Sequence, residues 1–98
     1  MSALYSVSDI QHILNPIFVA HGVRSAILFG SYAKGCATER SDIDLLVDSG
    51  LHGLSFFGLL ESVASAFRQP VDLIDVSQVE NGSEIQREIH NSGVQIFG

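Results

Sequence analysis

Two aspartates at positions i and i+2, Asp42 and Asp44, lie in the stretch Ser41-Asp42-Ile43-Asp44-Leu45-Leu46-Val47. An apolar run of this kind reads as a strand, and successive strand side chains point to opposite faces, so both carboxylates project the same way. Upstream, Ile27-Leu28-Phe29 runs into Gly30-Ser31-Tyr32-Ala33-Lys34-Gly35. That pattern reads as a buried strand stopping at a tight turn that leads straight into a short helix. Free backbone N–H groups and the Ser31 hydroxyl then converge on one spot suited to phosphate. A phosphate cradle beside paired carboxylates is what a divalent-metal site for a nucleotide needs. Val71-Asp72-Leu73-Ile74 adds a third acid on a third strand. Asp72 faces away from Val71 and Leu73, and Asp75 falls on the opposite face, which makes Asp72 the better third ligand.

A calcium loop also uses Asp-x-Asp, but it wants Gly at its sixth position and Glu at its twelfth. Counted from Asp42 these are Val47 and Gly53, and Leu45-Leu46 fills what should be polar loop. The calcium reading fails.

Together, Gly30-Ser31-Tyr32-Ala33-Lys34-Gly35 and Ser41-Asp42-Ile43-Asp44-Leu45-Leu46-Val47 resemble the minimal nucleotidyltransferase (MNT) domains of the polymerase-beta-like superfamily. Lys34 stands where that family usually has arginine. The resemblance covers nearly the whole chain, residues 1–98 as one domain. It implies an α+β, two-layer nucleotidyltransferase fold and transfer of an NMP, AMP from ATP in particular, onto a hydroxyl with release of pyrophosphate. Asp42, Asp44 and Asp72 would be the catalytic metal ligands for two Mg²⁺ or Mn²⁺ ions. Gly30, Ser31, Lys34 and Ser41 would be the nucleotide-binding residues. Such domains often pair with a small helical HEPN protein as the antitoxin of a toxin–antitoxin system, and some AMPylate a tyrosine of that partner. The rival reading is a non-catalytic antitoxin-like module that neutralises a partner by contact. A third, transfer to a small molecule such as an aminoglycoside, generally comes with extra substrate-binding sequence.

The bulk properties agree with a small enzyme. The chain has 98 residues, of which 46% are hydrophobic and 16% charged, enough for one core and too apolar for disorder. Its net charge is −6, from five Lys+Arg against eleven Asp+Glu, with no basic cluster, so nucleic-acid binding is not expected. A free nucleotide remains compatible, because metal ions neutralise the carboxylates locally. No apolar stretch approaches the ~20 residues of a membrane span. Met1-Ser2-Ala3-Leu4-Tyr5-Ser6 lacks signal-peptide character, and the one cysteine, Cys36, cannot form an internal disulfide. A cytoplasmic protein is expected.

The elements that must position these residues follow in order. Ser8-x-x-Gln11 predicts a capped helix from Asp9, with Ile10, Ile13, Leu14 and Ile17 inward. Pro16 either kinks it, or Asn15 caps a second short helix. Strands are expected at Val23–Phe29, Asp42–Val47 and Val71–Val76. Leu54, Phe57, Glu61, Ala64 and Phe67 fall at helical spacing, predicting a helix over Leu54–Arg68 that covers the sheet. A last helix, Ser83–Asn91, is capped by Ser83-x-x-Gln86, and Val94–Phe97 is a short edge strand through which the chain could form a homodimer. The pattern gives a mixed sheet of three to four strands backed by helices.

Other candidates are weaker. Lys34 serves either the phosphates or the solvent. Tyr32 is core or a wall of the nucleotide pocket, and the Phe56-Phe57 pair is core packing. The scattered histidines His12, His21, His52 and His90 have no metal-ligand spacing, and Cys36 is a spectator thiol.

Overall fold

The computed structural model describes residues 4–98; Met1, Ser2 and Ala3 of the N-terminal stretch lie outside the described residues. Helix α1 spans Val7–His21. It starts two residues before the expected Asp9, because Ser6 and not Ser8 is the cap. Ser6 is extended, its Oγ accepts from Asp9 N–H at 3.0 Å, and the Asp9 carboxylate accepts from Ser6 N–H at 3.0 Å. Aspartate at the third helical position thus closes the box that a glutamate or glutamine usually closes. The carboxylate's pKa is lowered by these Ser6 bonds, the backbone one foremost. Pro16 is exposed and lies inside one continuous helix, so no second helix is capped by Asn15. Gly22, at φ 70°, ends α1 in the left-handed conformation, with Val23 N–H donating to Phe18 O at 3.0 Å.

Strand β1 is Ser25–Phe29 and β2 is Ile43–Asp48. Between them a five-residue helix, α2, covers Gly30–Lys34. Helix α3, Leu54–Ser65, stops three residues short of Arg68. Strand β3, Val71–Asp75, runs into a 3-10 turn at Val76–Gln78 that the sequence pattern did not signal. Helix α4, Glu84–Ser92, is capped by Ser83 as expected, its Oγ accepting from Gln86 N–H, and β4 is Val94–Phe97.

The four strands form one sheet in the order β3-β2-β1-β4, antiparallel except for the parallel β2–β3 pair. Helices α1 and α3 pack against each other, α1 also against β4 and α3 against β3, while α4 packs on β1 and α2. The core joins Ile10, Leu14 and Phe18 of α1 to Ala26, Leu28, Ile43, Leu45, Val47 and Leu73 of the strands, with Leu59 and Val63 from α3. Burying one such side chain is worth about 1.5–3 kcal/mol, so this layer holds the sheet.

Helix α3 turns a different face inward from the one expected, and of the expected row Leu54, Phe57, Glu61, Ala64 and Phe67 only Phe67, beyond the helix end, is buried. Leu59, Val63 and the following Phe67 are buried, with Phe56 and Leu60 packed beside them. Leu54 is 89% exposed and Phe57 52%, so only Phe56 of the phenylalanine pair is core. Both rows have helical spacing. The row through Leu54 and Phe57 also carries Glu61, which cannot be buried unpaired, and that decides the orientation.

Candidate active site

The parallel register of β2 and β3 sets Asp44 directly beside Asp72. On its other side Asp44 pairs with Phe29, the last residue of β1. Paired residues share a face, so Asp44 lies between a second carboxylate and the turn into α2. This is the face opposite Ile43, Leu45 and Val47, which point into the core. Asp42 sits one position before β2 and is exposed, as is Asp72, whereas Asp44 is partly buried.

Gly30 opens the turn at φ 73° and is itself buried. A Cβ there would overlap Asp44 Oδ2 and lie 3.1 Å from its Cγ. Glycine therefore serves twice, for the left-handed backbone and for the close approach of the carboxylate. Phe29 at the cap of α2 supplies no side-chain bond, so Ser31 is not an N-cap. The first N–H groups of α2 have no capping side chain, and the Ser31 hydroxyl makes no side-chain hydrogen bond among the described residues.

Crowding acts on Asp44. Burial, then Asp72, Asp42 and Glu88, push its pKa up to about 6. A group that resists ionising beside three other acids is one whose charge a cation would relieve. Among the described residues no three His, Cys, Asp or Glu side chains stand as a ready-made metal cage. The strand register brings Asp44 and Asp72 side by side. The donor set itself, carboxylate oxygens alone, fits a hard ion such as Mg²⁺ or Mn²⁺.

The remaining candidates divide. Lys34 Nζ pairs with Glu88 Oε1 of α4 at 3.3 Å, with both side chains substantially exposed. The Ser41 hydroxyl accepts from Thr38 N–H at 2.8 Å, and Ser41 N–H donates to Thr38 O at 3.0 Å, so Ser41 closes the loop before β2. Tyr32 is buried in the core and donates its hydroxyl to Gln69 Oε1. Cys36 is exposed, His12 bonds to Ser8 O and His21 to Ser62 Oγ. Asp75 points away from the acid cluster into a buried network. Its Oδ1 accepts from Ser49 N–H at 3.1 Å and Ser49 Oγ–H at 2.6 Å, its Oδ2 from Ser77 N–H at 3.0 Å and Ser77 Oγ–H at 2.7 Å. Sequence reasoning missed Glu88. Its place in α4 gives no local sign that the helix lays it near Asp44.

With this geometry in view, comparison with known proteins places the chain. The model of the family described as polymerase beta, nucleotidyltransferase, matches residues 11–98. A relative in Methanocaldococcus jannaschii, named for protein adenylyltransferase activity, is 44% identical over 45 residues, 46% of this chain and 48% of that one. The match thus spans about half the length of that relative. The protein adenylyltransferase MntA of Thermococcus cleftensis is 34% identical over 88 residues, 82% of this chain and 87% of that one. A crystal structure of a toxin–antitoxin with AMP-PNP superposes with a TM-score of 0.75 at 25% identity, covering 90% of this chain and 73% of that one. The chain therefore belongs to the polymerase beta nucleotidyltransferase family, as a minimal nucleotidyltransferase domain protein.

Proposed function

We propose that the protein transfers AMP from ATP to a hydroxyl of a partner protein, releasing pyrophosphate. The observation that carries this reading is the lateral pairing of Asp44 with Asp72 next to the Gly30 turn. Asp42, Asp44 and Asp72 would hold Mg²⁺ or Mn²⁺. When bound, such ions neutralise phosphate charge and make a hydroxyl easier to deprotonate. The N–H groups at Gly30 and Ser31, with the Ser31 hydroxyl, hold the β and γ phosphates, and Lys34 adds a positive charge at the same end. Ser41 contributes by fixing the loop from which Asp42 emerges.

In the transfer, the acceptor oxygen forms a bond to the α-phosphorus while the bond to the bridging oxygen breaks, and pyrophosphate leaves with that electron pair. Asp72 would take the acceptor's proton, a role that its greater exposure than Asp44 supports. Positioning and charge neutralisation supply most of the rate, with little covalent work for the chain.

The names of the relatives support a protein as acceptor. The structural neighbour's toxin–antitoxin assembly with AMP-PNP supports ATP as donor and a toxin as the partner, and the HEPN class of that toxin is what the family resemblance implies. No helix among the described residues is long and apolar enough to cross a membrane, and a cytoplasmic setting suits such a pair. Incubation with ATP labelled at the α-phosphate, Mg²⁺ and lysate tests the reading. A labelled protein band is expected with wild type and none with Asp42→Ala/Asp44→Ala. A labelled small molecule, or no label, would refute it.

A further inference from the structure

The two edges of the sheet β3-β2-β1-β4 are finished differently. On β4 the register slips between Ala26 and Ile27, and Gln11 Nε2 donates to Ile96 O at 3.0 Å. An irregular edge with a carbonyl already engaged is poor ground for a further strand. On β3 the register runs unbroken from Val71 to Asp75. Ile43 N–H donates to Pro70 O at 2.9 Å, which fixes the parity of the parallel ladder. Asp72 and Ile74 therefore turn their N–H and C=O groups to β2, and those of Val71 and Leu73 point outward. The outward N–H of Asp75 is taken by Gln78 Oε1 at 3.1 Å. Among the described residues, nothing bonds the outward main-chain groups of Val71 and Leu73. We propose that this open edge of β3 is where the acceptor docks: an extended segment of the acceptor protein adds to it as an antiparallel strand, with its hydroxyl residue opposite Asp72. The inference rests on the transfer reading above and names how that reading's acceptor is held.

Strand register does the selecting. In an antiparallel pairing Val71 and Leu73 each exchange two bonds with the residue opposite. Asp72 between them has its main chain turned to β2, so it meets its partner in a non-hydrogen-bonded pair. That is the closer kind of pair, with Cβ atoms about 4.5–5.5 Å apart. Opposed residues share a face, so the hydroxyl arrives on the side of the sheet that carries Asp72 and Asp44. Its two neighbours turn to the face of Val71 and Leu73, where Leu73 belongs to the core, and apolar side chains suit them. The next residues out return to the acid face, and cations suit those in a chain of net charge −6. Main-chain bonds thus give affinity and alternate side chains give specificity. The chemistry is unchanged: the acceptor oxygen bonds to the α-phosphorus, its proton goes to Asp72, and pyrophosphate leaves.

The test uses an acetylated, amidated peptide of sequence Gly-Lys-Val-Tyr-Val-Lys-Gly with Mg²⁺ and ATP labelled at the α-phosphate. Three forms are compared: unmodified, N-methylated on both valine amides, and N-methylated on the tyrosine amide, which points away from β3 in this pairing. The first and third should take label, and the second about tenfold less, since its methyl groups remove two bonds to the edge. With Mg²⁺ and AMP-PNP, the unmodified peptide should slow hydrogen exchange at the Val71 and Leu73 amides. Val71→Pro, which removes an outward N–H and no ladder bond, should raise KM for the peptide about tenfold and leave AMP-PNP affinity unchanged. Equal labelling of the two methylated forms would overturn the proposal. So would a labelled peptide that leaves both amides exchanging freely, or a folded Val71→Pro variant with the wild-type KM. AMP-PNP bound with neither label nor protection from any form overturns the docking edge and spares the nucleotide reading. If the wild type binds no AMP-PNP, the nucleotide reading itself falls and the docking edge with it.

Discussion

Asp44 of β2 lies directly across from Asp72 of the parallel strand β3, and a Cβ at Gly30 would overlap its carboxylate. Two features of the backbone, a strand register and a glycine turn, thus hold an acid where it is costly to ionise. Its pKa of about 6, against 3.8 for an ordinary aspartate, reflects burial first and the neighbouring acids second. A folded-state pKa above the unfolded one means that the native state prefers the proton. The stability from this group is full below pH 3.8 and is lost as the pH rises through about 6. Asp44→Asn should therefore melt above wild type at about pH 7.5, with the two converging near pH 4. Thermal scans without metal check this. The same variant should lose activity by more than the ~10–100-fold typical of residues that merely support a metal ligand.

Metal binding should follow the same titration with the opposite sign. Protons compete with the ion for Asp44, so Mg²⁺ should raise the melting temperature more at about pH 7.5 than at about pH 5. Glu88→Gln removes one of the charges acting on Asp44 and should move the midpoint of this dependence to lower pH. Melting curves with and without Mg²⁺ across that range give the midpoint directly. A midpoint unchanged in Glu88→Gln would detach Glu88 from the site.

Gly30→Ala should cost stability and function through different atoms. The left-handed backbone is worth about 1–2 kcal/mol against a residue with a Cβ. The methyl group also displaces the Asp44 carboxylate, since that is the side chain it meets. Urea denaturation should show a smaller penalty for Gly30→Ala in an Asp44→Ala background than in wild type, because only the backbone cost remains. Nucleotidyl transfer by the single variant should drop at least as far as binding of the nucleotide does.

The local parts of this site were legible in the sequence, and the non-local parts were not. The Gly30 turn and the strand of Asp44 rest on chemistry within a few residues: an apolar run, a glycine, an i/i+2 alternation. The separate facing of Asp72 and Asp75 followed from the same alternation and is seen in the buried Ser49–Asp75–Ser77 network. The inward face of α3 was misjudged because both of its sides carry apolar residues, although Glu61 in the row through Leu54 and Phe57 already told against burying that side. The Lys34–Glu88 pair joins residues far apart in sequence, so no spacing rule reaches it. The start of α1 was misplaced because two overlapping serines, Ser6 and Ser8, each begin a possible cap.

Lys34 separates a phosphate role from a structural one. Its exposed ion pair with Glu88 is worth roughly 0–1 kcal/mol, so Lys34→Met should hardly change the melting temperature. As a phosphate contact it should nonetheless raise KM for ATP several-fold with a smaller effect on kcat. Lys34→Arg should restore the wild-type KM, since arginine keeps the charge and adds a bidentate fork. A KM unchanged in Lys34→Met assigns the residue to the α2–α4 contact alone.

Asp72 near the start of β3 and Asp75 at its end, on opposite faces, should fail in opposite ways. Asp75 is buried, and burial alone would raise its pKa. The bonds from Ser49 and Ser77 outweigh that and hold it down at about 2. The stability it contributes is present above the unfolded value of 3.8 and lost as the pH falls through about 2. Asp75→Ala strands the N–H and hydroxyl donors of the buried Ser49, whereas the exposed Ser77 can turn to water; each buried group left unpaired costs about 1–3 kcal/mol, so the variant should unfold at markedly lower urea. Its remaining folded fraction should still bind Mg²⁺ and nucleotide. Asp72→Ala should do the reverse: removing a like charge beside Asp44 leaves the fold as stable as wild type or more so, while transfer activity is lost. Urea midpoints and activity per folded molecule, measured on both variants, distinguish an acid that builds the sheet's end from one that the sheet exists to present. An Asp72→Ala variant that kept its activity would leave Asp42 and Asp44 alone to hold the ions and would remove Asp72 from the chemistry.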